Sequence, residues 1–207
     1  MKYQDFVIQD GKFVGEFEKM YQKVSDPWGQ SRDFYYSSLS RRSICYFIEK
    51  YGIQSIVEWG CGLGRTTNYI KENTITDIDI LGIDISETAI DKAKNFYPNL
   101  EFKTDNILNI SKYKDFDCIF FSEITWYLLE DNKIDRLFNI ISENFKGKNK
   151  FLLHNLVFYK GSVQQYGKEY FTNIDEFIEY CPFELLGKVE SDIQSEGNIE
   201  TSAIFKI

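Results

Sequence analysis

Seven consecutive residues, Glu58-Trp59-Gly60-Cys61-Gly62-Leu63-Gly64, carry the strongest chemical signal in the chain. They follow a short apolar run, SIVEWG (55–60), and lead into a helical pattern, GRTTNYIKEN (64–73). Glycines at this spacing let a backbone turn sharply and approach a ligand closely. A helix that opens near Gly64 turns free N–H groups and the positive end of its dipole toward that ligand. Two further acids follow, each at the end of an apolar run. Asp84 closes IDILGID (78–84), where a carboxylate can accept hydrogen bonds from both hydroxyls of a ribose. Ile85 comes next and can pack on one face of a base. Asp105-Asn106-Ile107 ends LEFKTD (100–105). There an acid can accept from an adenine amino group while the next N–H donates to a ring nitrogen.

The glycine spacing discriminates between ligands. A dinucleotide site requires GxGxxG with its third glycine at 65, and position 65 is Arg, which makes a nicotinamide oxidoreductase a poorer reading. A GxGxG loop preceded by an acid is the pattern of S-adenosylmethionine (SAM) enzymes. The methionine end of SAM is a zwitterion, so its carboxylate suits backbone N–H groups and its ammonium suits carbonyls and acids.

The elements that must position these residues alternate strand and helix. Beyond the runs above, SETAIDKAKNFY (86–97) is a helix with Ser86 as N-cap, and FDCIFFSE (116–123) is a fourth strand. DNKIDRLFNIISENF (131–145) is an amphipathic helix capped by Asp131, KFLLHNL (150–156) a fifth strand, and TNIDEFIEY (172–180) a short helix. FELLGKVESDI (183–193) and IETSAIFKI (199–207) flank Gly197-Asn198 as a hairpin. The pattern predicts an α/β fold, a Rossmann-like seven-stranded mixed sheet of five parallel strands and a C-terminal antiparallel hairpin, flanked by helices. Residues 1–50 differ: helical spacing over 14–24 and 33–51 is broken by Ser25-Asp26-Pro27-Trp28-Gly29, giving a helical lid or extension ahead of a domain over 51–207.

At these motifs the chain resembles the class I SAM-dependent methyltransferases, over about residues 30–207. The resemblance implies that Gly60, Gly62 and Gly64, with Cys61 between them, line the methionine moiety and that Glu58 supports the loop. It also implies that Asp84 holds the ribose and that Asp105 with its neighbours holds adenine. S-adenosyl-L-homocysteine (SAH) would be the product. Trp59 departs from the small or aliphatic residue usual there and is expected to pack under the sheet. The stretch SEITWYLL, with Asp26-Pro27-Trp28-Gly29, Tyr35-Tyr36 and Arg41-Arg42 ahead of the loop, is similar to the nodulation-type methyltransferases, which N-methylate an amino sugar.

Several residues carry two readings. Glu123 can hold the methionine ammonium, position a cationic or hydroxylated acceptor, or cap the next helix. Trp126 and Tyr127 either wall an acceptor pocket or pack in the core, and Trp28 is a lid or an anchor; Tyr35 joins the acceptor candidates. Arg41 or Arg42 can reach the methionine carboxylate or an anionic acceptor, or stay solvated. His154, the sole histidine, is a general base or a satisfied core residue.

Composition bounds the rest. The chain has 207 residues and 24 Lys+Arg against 32 Asp+Glu, a net charge of −8 that disfavours nucleic-acid acceptors and anionic membrane surfaces. Lys146-Gly147-Lys148-Asn149-Lys150 reads as a solvated loop. Cys45, Cys61, Cys118 and Cys181 are widely spaced with no CxxC pair, so neither a metal site nor a disulfide framework is expected. The amino terminus lacks the apolar run of a signal peptide, and a cytoplasmic protein is expected. The expected activity is methyl transfer to an amine or hydroxyl of a small, sugar-like or surface-glycan-precursor acceptor. The alternative is a non-catalytic SAM-binding subunit of a partner enzyme.

Overall fold

The computed structural model describes residues 4–9, 12–31, 38–160, 166–192 and 197–207. Seven strands form one sheet: β1 (Ser55–Trp59), β2 (Asp79–Asp84), β3 (Glu101–Thr104), β4 (Cys118–Ser122), β5 (Phe151–Tyr159), β6 (Glu184–Asp192) and β7 (Asn198–Lys206). Their order across the sheet is β3-β2-β1-β4-β5-β7-β6. The first five are parallel, and β7 is antiparallel to both β5 and β6, as the sequence pattern predicts. β5 runs to Tyr159, three residues past the expected strand, because β7 pairs with it along its whole length.

The helices are α1 (Gln4–Val7), α2 (Phe17–Lys23), α3 (Leu39–Tyr51), α4 (Arg65–Asn73), α5 (Glu87–Phe96), α6 (Lys133–Asn144) and α7 (Ile174–Tyr180). Strands covered on both faces read as continuous apolar runs, and β1 and β4 show why. Val57, Ile119 and Phe121 face α6 and α7, whereas Ile56, Cys118 and Phe120 face α3 and α4. α6 buries Ile134, Leu137, Phe138 and Ile141, the i, i+3, i+4, i+7 spacing of one helical face. Its cap differs from expectation. Asp131 and Asn132 both adopt left-handed backbone, and Asn132 rather than Asp131 occupies the cap position, with no side-chain hydrogen bond. Ser86 does cap α5, its Oγ accepting from Ala89 N at 3.1 Å. All four cysteines are buried and free. Among the described residues no helix is long and apolar enough to cross a membrane, and no metal-ligating cluster forms.

The amino-terminal segment packs against the carboxyl end of the sheet. Phe6, Val7, Met20 and Tyr21 form a cluster with Leu63 of the glycine loop and Ala89 of α5. Glu18 fastens it, accepting hydrogen bonds from Ser86 Oγ at 2.7 Å and Thr88 Oγ1 at 2.5 Å. Those bonds hold its carboxyl down at about 2. Asp26 organises the predicted break: its carboxylate accepts from Gln30 N and Ser31 N at 2.9 Å each. The Tyr35 and Tyr36 positions lie outside the described residues.

Candidate active site

A cleft of about 980 Å³ opens along the carboxyl ends of β1 to β5, beneath the amino-terminal segment. Parallel α/β sheets bind ligands at this edge. Gly60, Gly62, Asp84 and Ile85 line one side, followed by Asp105, Asn106 and Ile107 past β3. Glu123, Trp126 and Tyr127 line the side past β4, and Trp28 reaches in from the amino-terminal segment. Glu58, Cys61, Gly64, Arg41 and His154 do not line it.

The glycine loop is tight enough to exclude side chains. Gly60 has φ +82°, and a Cβ there would sit 2.1 Å from Ile124 Cγ2. Gly62 has φ +52°, and its Cβ would meet the Tyr21 hydroxyl at 2.6 Å. Asp84 braces the loop. Its Oδ2 accepts from Gly62 N and its Oδ1 from Ser86 N, both at 2.9 Å. Burial pushes its pKa up, and those backbone N–H groups pull it back. A carboxylate offers about four lone-pair sites, so two remain for a ligand. Ile85 beside it is 57 % exposed, an apolar side chain left bare at the cleft.

Asp105 is engaged more fully than its motif suggests. Its Oδ1 accepts from Asn106 N at 2.8 Å and Asn109 Nδ2 at 2.6 Å, and its Oδ2 accepts from Tyr113 OH at 2.9 Å. Burial raises its pKa, but these bonds outweigh it and hold the carboxyl below its usual value. Asp105 thus shapes the 3-10 turn over Ile107–Tyr113.

Glu123 has φ +59°, a left-handed backbone that non-glycine residues rarely adopt. Such outliers cluster at functional sites. The cap position of the 3-10 turn that follows is Ile124, not Glu123. Burial raises its carboxyl, and Arg41 opposes that shift.

Arg41 is corrected by its placement. It is 3 % exposed and lies inside the fold, where it interacts electrostatically with Glu123, Glu200 and Glu58 rather than facing the cleft. Burial lowers its pKa to about 10. Arg42, next in sequence, is the solvated member of the pair. Glu58 sits beside this guanidinium, fully buried, accepting from Thr67 Oγ1 at 2.5 Å. Burial raises its carboxyl to about 7. In the folded chain Glu58 therefore keeps a proton that the unfolded chain, at about 4.5, has released. Its contribution to stability is full below pH 4.5 and is lost as pH rises through 7, a difference of at most about 3 kcal/mol. Glu58→Gln should match the parent in thermal melts at pH 5 and melt several degrees higher at pH 8. An equal difference at both pH values would refute the buried proton.

His154 is likewise a core residue. Its ring stacks on Phe177 with centroids 3.9 Å apart, and Nε2 shares a 2.7 Å hydrogen bond with Thr125 Oγ1. Burial drops its pKa to about 3, so it stays neutral where a general base would titrate. Because the unfolded chain binds this proton near 6.5, His154 destabilises the fold as pH falls from 6.5 toward 3. His154→Phe should remove that slope and cost about 1–2 kcal/mol through the orphaned Thr125 hydroxyl. The pH profile of turnover should not move. A lost acid-side limb in that profile would restore the catalytic reading.

Trp126 and Tyr127 both pack against neighbours and line the cleft. Trp126 Nε1 donates to Val157 O at 3.1 Å, and its ring meets Phe158 edge-on while still lining the cleft. Tyr127 stacks on Phe13 with centroids 5.7 Å apart. Trp59 is 2 % exposed and packs edge-on against Tyr113, as expected of a residue under the sheet. Sequence reasoning missed Tyr21. Its hydroxyl accepts from Trp28 Nε1 at 2.9 Å and abuts Gly62, so it ties the amino-terminal turn to the loop. Its signal was present only as an apolar position on α2.

Known proteins carry the same architecture. Residues 56–147 match the model of a methyltransferase domain. The chain is 24% identical over 190 residues to the 235L protein of Invertebrate iridescent virus 6, which is named as a methyltransferase, covering 87% of this chain and 67% of that one. N-methyltransferase NodS from Bradyrhizobium japonicum, solved with SAH, superimposes with a TM-score of 0.64 at 17% identity, covering 91% of this chain and 96% of NodS. A SAM-dependent methyltransferase from Clostridium acetobutylicum gives 0.62 at 12% identity, covering 91% and 98%.

Sheet order and the matched domain give this chain the fold of the SAM-dependent methyltransferases, the matched model covering just under half of it. Its fold is similar to that of NodS, a methyltransferase solved with SAH.

Proposed function

We propose that this chain transfers the methyl group of SAM to an amine or hydroxyl of a small, sugar-like acceptor, such as a precursor of a surface glycan. The observation that carries the reading is the shared cleft: the glycine loop, Asp84 and the Asp105 turn line one side, and an aromatic wall lines the other. Rings of this kind suit the apolar face of a sugar. The non-catalytic alternative finds no support in a cleft with room beyond the loop.

The residues fit the cofactor. Gly60 and Gly62 present bare backbone to the cleft where Ile124 and Tyr21 leave no room for a Cβ, and Gly64 starts α4, whose amino end favours a carboxylate. Asp84 accepts from the ribose hydroxyls through its two remaining lone pairs. Ile85 covers one adenine face. Because Asn106 N already donates to Asp105, the N–H of Ile107 is left to donate to a ring nitrogen. Glu123 accepts from the methionine ammonium, and Arg41 opposes the burial that raises its carboxyl. Cys61 supports the loop from within, as does Glu58.

SAM supplies a methyl group on a sulfonium, a good leaving group. The protein aligns the acceptor atom with that carbon and excludes water. Trp28 and Tyr127 close over the acceptor, with residues 1–50 as the lid. Tyr35 belongs to the same stretch. With His154 removed from consideration, an amine acceptor would arrive neutral and need no strong base.

The test is SAH formation from SAM with aminosugar acceptors such as glucosamine and chitooligosaccharides. Turnover above the acceptor-free rate supports the reading. SAM binding with no turnover across amine and hydroxyl acceptors would favour the non-catalytic alternative.

A further inference from the structure

Beyond the glycine loop the cleft continues between the amino-terminal segment and the connection from β4 to α6. Its wall there is aromatic: Phe13, Tyr127 and Tyr166. Lys133 is the one basic residue among the described residues that line the cleft. It is half-buried, and no carboxylate of the described residues lies within ion-pair distance of it. Two neighbouring acids are engaged elsewhere, Glu130 Oε1 accepting from Tyr166 OH at 3.2 Å and Asp135 from Tyr180 OH, and Asp131 makes no ion pair with Lys133. The contact Lys133 does make is with the Phe13 ring, its Nζ 6.0 Å from the centroid.

This placement runs against local electrostatics. Lys133 is the first residue of α6, where the positive end of the helix dipole disfavours a cation. A chain with net charge −8 has ample carboxylates to pair with a cation, yet leaves this one facing the cleft. The carboxylates of the cleft, Asp84, Asp105 and Glu123, lie past β2, β3 and β4 among the groups assigned above to the cofactor.

We propose that Lys133 receives an anionic group, a carboxylate or a phosphate, on the methyl acceptor, whose ring lies against Phe13, Tyr127 and Tyr166. The inference deepens the functional reading above and rests on it. A cation unpaired among the described residues and beside a ring selects an acceptor that supplies the missing charge, and does so in a chain whose overall field repels anions. Lys133 is thus a specificity-determining residue.

Calorimetric titration of the SAH-saturated protein with matched probes tests this. Glucosamine 6-phosphate is compared with glucosamine, and 4-hydroxybenzoate with 4-hydroxybenzyl alcohol. The anionic member of at least one pair should bind about tenfold more tightly. The pair that discriminates tells phosphate from carboxylate. Lys133→Met should erase the preference and Lys133→Arg should keep it, both with SAH affinity unchanged. Raising the salt concentration should shrink the preference. Equal binding within both pairs, a preference that survives in Lys133→Met, or no binding of either anion at about 10 mM would overturn the inference. SAH binding in the same cell reports on the parent reading. Its failure would overturn that reading, whereas charge-blind binding beside intact SAH affinity overturns this one alone.

Discussion

Asp84→Ala should weaken SAM binding by about 10²- to 10⁴-fold. Two ribose hydroxyls donating to a carboxylate contribute about 1.5–3 kcal/mol each. The substitution also strips the acceptor from Gly62 N and Ser86 N, two buried donors that now hold the glycine loop and the start of α5 in place. Asp84→Asn tests the same point more sparingly. It keeps the shape but turns an amide NH₂ toward one of those N–H donors, so it too should lose most of the affinity. Isothermal titration with SAM and SAH reads both variants. A dissociation constant within threefold of the parent would show that the ribose is held elsewhere.

The second large effect is at Gly60. Gly60→Ala places a Cβ 2.1 Å from Ile124 Cγ2 on a backbone with φ +82°. Left-handed backbone costs an L-residue about 1–2 kcal/mol, and overpacking adds about 1–3. For a chain of this size each kcal/mol moves Tm by about 2–4 °C. A loss of about 10 °C is expected, with SAM affinity falling because Ile124 and the strained Glu123 beside it must shift. A melting temperature within about 2 °C of the parent would mean that the loop is looser than its geometry indicates.

Much of this was legible from residue order. The five parallel strands declared themselves as apolar runs bounded by glycine or acid, because a sheet covered on both faces buries every side chain. The motif positions 60, 62, 84 and 105 followed, since parallel strands present their carboxyl ends at one edge. What stayed hidden depends on partners distant in sequence. The sequence leaves Arg41 and Arg42 either reaching a ligand or solvated, and does not show that Glu58, Glu123 and Glu200 act on a buried Arg41. The expected strand over 150–156 puts His154 near its carboxyl end, whereas β5 runs on to Tyr159, and Phe177, from a helix placed later in the chain, holds the ring in the core. Asp105 reads as a ligand group until Asn109, Asn106 and Tyr113 claim its oxygens. Lys133 reads as ordinary helix surface until the aromatic wall is assembled around it.

Glu18 joins two parts of the molecule that the chain keeps far apart. Its carboxylate holds Ser86 Oγ and Thr88 Oγ1, and Ser86 N in turn holds Asp84. The docking of α2 and the geometry of Asp84 at the cleft are therefore joined through Ser86 in one thermodynamic cycle. By reciprocity, whatever loosens either end of that relay weakens the other by the same factor. Product departure and undocking of the amino-terminal residues share a single free-energy ledger.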